Sequence, residues 1–433
     1  MSARTILGGC AASVAIATVL SVAASGQTGA NGAASGPSAP APPLVITAYG
    51  GKPPAKPHVA PKTPWGEPDI QGVWSSDDTD GIQMSRQQQF GDRLYLTDQE
   101  YAEREQRIGS AAKRNDTEAS TVFRFDYGRR AFRQTSLVVD PPDGRVPAYT
   151  PEGMKRPMPR GTYGNGPLDW TTDFSLYERC ITRGIVGSSL RVIYGNVQRI
   201  VQAPGVVALT YEMVHDTRII YTDGRTHVGQ TIRQYLGDSR GRWDGDELVV
   251  DTTNLTNQTA IGVNGNGNRH SEKMKMTERF KRVGDDIVQY QITIDDPVTY
   301  VRPFTLSYPL TPLDGGKLLP YDCHEGNEAL TNALGAERTE DKKLAEDRAR
   351  GINRPRRPVQ DGLGVGGQPA GQAGPGGLNL GGPAAGAGAG NGAGRGAGDG
   401  RGSGRGAGEG RGTGTGRGAG QGNGDPGAGD QER

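Results

Sequence analysis

Residues 273–294 read KMKMTERFKRVGDDIVQYQITI, and the fold turns on how this stretch is read. In its first half Met274, Met276 and Phe280 share one parity, while Lys273, Lys275, Thr277 and Arg279 share the other. In its second half Val288, Tyr290, Ile292 and Ile294 alternate with Gln289, Gln291 and Thr293. Successive side chains of a strand point to opposite faces, so a period of two describes strands with one buried and one wet face. Gly284-Asp285 lies between the two halves as a turn signal, and the pair reads as an antiparallel hairpin. Glu278 falls on the methionine face. A carboxylate there needs a buried partner or belongs to a site. A bulge that turns it outward is the favoured reading.

Further β-type runs flank this hairpin at 197–203, 206–214, 218–221, 231–236, 247–252 and 304–310. They are punctuated by Pro204-Gly205, Asp223-Gly224, Asp244-Gly245 and Asp314-Gly315. Short strands at this spacing predict a mainly β protein, an antiparallel β barrel or sandwich with its core over about 192–321. The part before it is irregular. It carries one short strand at 136–139 and one helix, opened by Thr97-Asp98-Gln99-Glu100 with the spacing of a capping box and running to about Lys113. A second helix, 327–350, closes the folded part, with Leu330 and Leu334 one turn apart.

The two ends have a different character. Residues 1–26 begin with Arg4, continue in an apolar Ala- and Val-rich run, and end in Ala24-Ser25-Gly26. Those are the parts of a cleavable signal peptide. A retained anchor is the alternative, because the run approaches the roughly 20 residues that span a bilayer. Cys10 lies too early in the run for a lipoprotein box. Residues 27–62, rich in Ala, Gly, Pro and Ser, read as a disordered linker, and 351–433 as a disordered Gly/Arg-rich tail. Between them, 63–350 forms a single folded domain.

Lys and Arg number 49 against 48 Asp and Glu, a formal net charge of +1, and no basic run stands out. Nothing in this balance invites nucleic acid, and no membrane insertion is expected once the leader is cleaved. The tail's arginines are interleaved with acids and have no aromatic residues beside them, so RNA binding by the tail is disfavoured. Cys180 and Cys323 remain after the leader. In an exported chain they are a disulfide candidate, closing a loop of about 140 residues that chain-entropy models value at roughly 4 to 5 kcal/mol. Two separate thiols, or a Cys323-His324 catalytic pair, are the alternatives.

Four stretches stand out together: TPWGEPDIQGVW at 63–74, ERCITRG at 178–184, YLGDSRGRWDGD at 235–246 and CHEGN at 323–327. In this combination the chain resembles a family of exported, functionally uncharacterised proteins from environmental bacteria. The resemblance spans about 64–350 and leaves out the Gly/Arg tail. It implies export to the periplasm or beyond and a single folded unit. It brings no activity with it.

Candidate chemistry gathers in two places. His215-Asp216 with Arg218 follows a strand, where sites are often built. His215 would act as a general base oriented by Asp216. The structural alternative has Asp216 capping the turn and Arg218 paired with Glu212. The second place is His324-Glu325. A Cys180–Cys323 bridge would bring Arg179 and Arg183 to it, assembling Arg, His and Glu at one spot. His215, His227 and His270 are the histidines open to a metal, but no HxxxH or HExxH spacing exists, and no metal or other cofactor is expected. Asp238 to Asp246 looks like a calcium loop but lacks the distal bidentate glutamate. The Gly/Asn-rich stretch 262–268 reads as a flexible loop and candidate lid. A closed barrel of modest strand number encloses a cavity suited to one small ligand, so the leading expectation is an exported β-barrel protein that binds a small, partly apolar ligand. An enzyme (lyase, isomerase or hydrolase) using His215, Asp216, Arg218, His324, Glu325 and Arg183 is the second reading. An envelope structural or interaction protein is the third.

Overall fold

The computed structural model describes residues 42–356, apart from 118–127, 157–166, 193, 266, 268 and 314–316. The expected signal peptide and most of the tail therefore lie outside the described residues. The described strands are β1 (Gly72–Ser75), β2 (Val138–Asp140), β3 (Val197–Ala203), β4 (Val206–Tyr211), β5 (Thr217–Tyr221), β6 (Asp238–Asp244), β7 (Glu247–Thr253), β8 (Lys275–Gly284), β9 (Ile287–Asp295) and β10 (Phe304–Pro312). The α-helices are α1 (Asp98–Thr117), α2 (Gly184–Ser189) and α3 (Ala329–Ala349). Strand order runs β1-β3-β4-β5-β6-β7-β8-β9-β10, and β1 pairs again with β10. Nine strands thus close into a barrel, and β2 adds to the edge of β10. No described helix is long and apolar enough to cross a membrane.

The founding hairpin forms as its alternation demands. β8 and β9 pair antiparallel, with Phe280 opposite Tyr290 and Glu278 opposite Ile292. One pairing breaks the antiparallel rule. β5 and β6 are parallel, Ile220 opposite Ser239, so the barrel is mixed. Residues 222–237 supply the crossover. The strand expected at 231–236 is absent because these residues belong to that crossover. Asn254 holds them, its Nδ2 donating to the carbonyls of Gly229 and Ile232 at 2.9 Å each. The calcium-like stretch beside it is β6 itself, and Asp244-Gly245 turns it into β7.

The lumen is a packed core, which corrects the expected ligand cavity inside the barrel. Ile70, Ile200, Leu209, Ile220, Leu248 and Phe280 meet inside and leave no space that a water molecule can enter. Glu278 points inward, fully buried, which corrects the favoured outward bulge. Its carboxylate takes both Arg218 Nη atoms, at 2.5 and 2.8 Å, and the Tyr290 hydroxyl at 2.9 Å. Arg218 comes from β5 and Glu278 from β8, so this pair spans the lumen. Burial works against the Arg218 charge, but Glu278, with Tyr211 and Tyr290, holds its pKa above the ordinary arginine value.

The opposite face of β9 and β10 is also buried: Gln289, Gln291, Thr305 and Ser307 are each at most 1% exposed. What covers it is chain expected to be linker. Residues 42–48 lie across this face, where Gln289 Oε1 accepts the Thr47 and Ala48 amides at 3.0 and 3.1 Å and Gln291 Oε1 accepts the Val45 amide at 2.8 Å. The short apolar patch at 44–46 and the glutamines' amide groups, at strand positions read as wet, offset the entropy that composition alone says is lost. α1 opens on the predicted capping box, the Thr97 amide donating to Glu100 at 2.8 Å and the Glu100 amide to Thr97 Oγ1 at 3.3 Å.

Candidate functional site

Four segments meet beside the barrel: the turn at 175–183, the loop after α2, the β4–β5 turn, and the chain leading into α3. The first turn is built by reciprocal capping. Glu178 Oε2 accepts the Ser175 amide at 2.9 Å and the Glu178 amide donates to Ser175 Oγ at 3.2 Å. Cys180 ends it in the left-handed region, φ 56°. The bridge to Cys323 forms, with Cα atoms 5.7 Å apart. It draws residues flanking both cysteines together.

Thr182 then ties this turn to the β4–β5 connection. Its hydroxyl donates to Asp216 Oδ2 at 2.5 Å and its Oγ1 accepts the Gly184 amide at 3.0 Å, at the start of α2. Burial holds the Asp216 carboxyl above the usual carboxylate range, and the Thr182 hydroxyl tempers that rise. Val214 and His215 sit at φ 64° and 55°. Two consecutive non-glycine residues there are strained, Val214 most because its β-branch crowds the left-handed conformation. The His215 ring is exposed and stands edge-on to Tyr321, centroids 6.4 Å apart.

Arg183 lies beneath, 1% exposed, with its guanidinium 5.6 Å from the Tyr177 ring centroid and Nη1 3.5 Å from the Gly195 carbonyl. Tyr177, Tyr194 and Tyr321 stand close enough to act on one another's phenols. Burial raises the Tyr177 and Tyr321 phenols, and Arg183 acts in the opposite sense on both. Gly195 is required where it is: a Cβ would come 2.5 Å from Met213 Sδ of the β4–β5 turn.

Outside the bridge lies an open cleft of about 340 Å³, lined by Thr171, Glu178, Arg179, Cys180, Ile181, His324, Asn327 and Leu330. Asn327 Nδ2 approaches Cys180 Sγ at 3.7 Å, and its Oδ1 accepts the Ala329 amide at 3.2 Å ahead of α3. A second tie closes this region, Arg356 Nη1 to Asp169 at 2.9 Å.

The expected site residues therefore separate into three environments. His215, Asp216 and Arg183 gather around the tyrosines. His324 joins Arg179 in the cleft, whereas Glu325 is exposed and is not among the lining residues. Arg218 belongs to neither group. It is locked to Glu278 in the lumen, so its pairing with Glu212 and its role beside His215 are both corrected. Of the other histidines, His227 Nδ1 sits 2.8 Å from Asp238 Oδ2, and buried His270 contacts the Thr259 hydroxyl at 2.6 Å. Among the described residues no group of three or more His, Cys, Asp or Glu is placed to hold a metal ion. The described part of the candidate lid is packed down: Val263 is 6% exposed, and a Cβ at Gly265 would strike the Arg183 carbonyl.

Tyr177, Tyr194, Tyr321, Thr171, Ile181 and Leu330 are not among the site residues that the sequence suggests. Most stand within a few positions of a cysteine, so pairing the cysteines and pooling their neighbours would have found them. No protein-family model matches this chain, and no curated protein or solved structure matches it either.

Proposed function

We propose that this protein is exported and binds a small, partly apolar molecule in the cleft beside the Cys180–Cys323 bridge. The observation that carries the reading is the cleft itself. Its volume, about 340 Å³, falls at the lower end of the roughly 300–1,000 Å³ usual for small-molecule sites. Its walls mix Ile181, Leu330 and the disulfide with Arg179, Asn327 and Thr171, the composition of a site that holds an apolar body and orients a polar group. The packed lumen removes the barrel interior as a rival location. Export is supported by the leader-like residues 1–26 and by a disulfide, which persists best in an oxidising compartment. Leu330→Trp tests the location. It should fill the cleft, abolish the shifts that small amphiphiles induce at Arg179 and Ile181 in NMR spectra, and leave the sheet intact. Binding that survives the tryptophan unchanged would place the ligand elsewhere.

A specific observation favours the enzyme as second reading: a carboxyl held above its usual range, Asp216, beside the strained and exposed His215. His215 and His324 occupy different surroundings, so they would not act as one base pair. A substrate screen on the wild type, His215→Ala and His324→Ala decides it, and unaltered turnover in both variants ends the catalytic assignment.

A further inference from the structure

We infer that the ligand of the cleft is an anion, an amphipathic carboxylate whose head is taken by Arg179 and whose body lies against Ile181 and Leu330. This rests on the cleft being the binding site, and deepens it by naming the chemical class. The argument is a census of the charged and polar groups that face the space.

Glu178 is the one carboxylate among the residues lining the cleft, Glu325 and Glu328 being exposed and outside that lining, and the acids near it on the other wall are engaged. Glu178 lines the cleft, but its Oε2 is held by the Ser175 amide in the reciprocal capping of its own turn. Asp173 Oδ2 accepts the amides of Asp169 and Trp170, both at 2.8 Å. Asp169 in turn is paired with Arg356. Arg179 is different. Among the described residues no carboxylate stands within ion-pair distance of it, although it lines the cleft. The neighbouring cation, Arg183, is turned to the Tyr177 face and the Gly195 carbonyl, not into this space.

The other polar groups agree in sense. Asn327 spends its Oδ1 on the Ala329 amide, which leaves Nδ2 as its group toward Cys180 and the cleft. Thr171 adds a hydroxyl. The cleft thus offers a guanidinium, an amide N–H pair and a hydroxyl, beside the His324 imidazole, while the Glu178 carboxylate is held in its own turn. A guanidinium presents paired N–H groups in a planar fork, which a carboxylate matches with two parallel hydrogen bonds. The apolar part of the lining, Ile181, Leu330 and Cys180 of the bridge, accepts an alkyl or aryl body.

The test compares octanoate with octanamide, which share size and body but differ in charge, on the intact disulfide-bonded protein. Calorimetry gives the affinities, and NMR shifts at Arg179, Ile181 and Leu330 give the location. Octanoate should bind at least about tenfold tighter, the least that a charge-assisted pair contributes. Arg179→Gln should bring octanoate down to the level of octanamide and leave octanamide unchanged. Equal affinities in the wild type, or an octanoate preference that survives Arg179→Gln, would overturn the carboxylate inference while leaving the cleft as the site. Binding of neither probe at millimolar concentration, with no shifts at the cleft, would overturn both.

Discussion

Arg218 and Glu278 meet fully buried inside the barrel, with the Tyr290 hydroxyl as a further partner of the carboxylate, and this makes them unusually sensitive to single substitution. Removing one partner leaves the other charged, desolvated and unmatched, which costs about 3–5 kcal/mol, whereas replacing both with apolar groups of similar volume is far milder. Arg218→Met alone should therefore lower the unfolding free energy by about that amount, and Arg218→Met with Glu278→Leu by much less than the sum of the two single losses. Urea denaturation of the cycle measures it, and additive losses would refute the coupling. A second residue sets a pH dependence. His270 places Nδ1 3.0 Å from the Ser271 carbonyl and Nε2 2.6 Å from the Thr259 hydroxyl. Nδ1–H is then the donor and the hydroxyl donates to Nε2, a neutral ring. Burial lowers its pKa below the ordinary 6.5. The unfolded chain therefore binds a proton below that pH that the folded chain refuses. Stability is complete above pH 6.5 and falls as pH drops through it, by at most about 1.4 kcal/mol per pH unit from this group. Denaturation midpoints between about pH 7.5 and 5 should show the fall, and His270→Gln should flatten that part of the curve.

At the scale of elements, the outer face of β9 exists as a buried face only because the arm 42–48 lies on it. Gln289 is the joint. It accepts two arm amides through Oε1 and donates through Nε2 to Thr47 Oγ1 and Ser307 Oγ, both at 3.0 Å. Gln289→Ala orphans those groups, and buried donors left unmade cost about 1–3 kcal/mol. The variant should lose about 2–3 kcal/mol, and hydrogen exchange should quicken at Thr47 and Ala48 while β8 stays protected. Unchanged exchange at those amides would show the arm to be held by something else. This joint also marks where sequence reading stops. Strands with clean alternation, β8 and β9, and helices with a cap, α1, were legible because their signals are local. The arm was not, because its partners lie more than 240 positions away and its composition resembles free linker. β6 was hidden for the opposite reason. Its Asp238, Arg240 and Gly241 carry turn and loop chemistry, and only pairing with β7 along its length, and with β5 at Ser239 and Arg240, makes them strand. Glu278 was legible as a problem and not as a solution, since nothing local announces Arg218 as its partner. The site divided in the same way. Pairing the cysteines anticipated that Arg179 and His324 come together, as they do in the cleft, while the tyrosines needed the folded chain to be seen.

For the whole molecule, the bridge governs the site more than the barrel. Cys180 and Cys323 are separated by 143 positions, and every strand from β3 to β10 lies between them. Cross-linking so long a loop disfavours the unfolded chain by about 5 kcal/mol in the chain-entropy account. Yet barrel closure runs through β1, hydrogen-bonded to β3 on one side and β10 on the other, and the disulfide takes no part in it. The cleft is built otherwise. One wall, 178–181, precedes β3, and the other, His324 to Leu330, follows β10, with the bridge as their covalent link. Among the described residues that gap is also tied by the Arg356–Asp169 ion pair, and exposed ion pairs contribute only about 0–1 kcal/mol. Cys180→Ser with Cys323→Ser should therefore lower the denaturation midpoint, preserve the far-UV sheet signal and expose residues 317–328 to proteolysis. In the same variant octanoate should bind at least about tenfold more weakly, as the two walls lose their fixed spacing. If the double variant keeps both protease resistance and affinity, the walls are held by their own packing and the bridge serves stability alone.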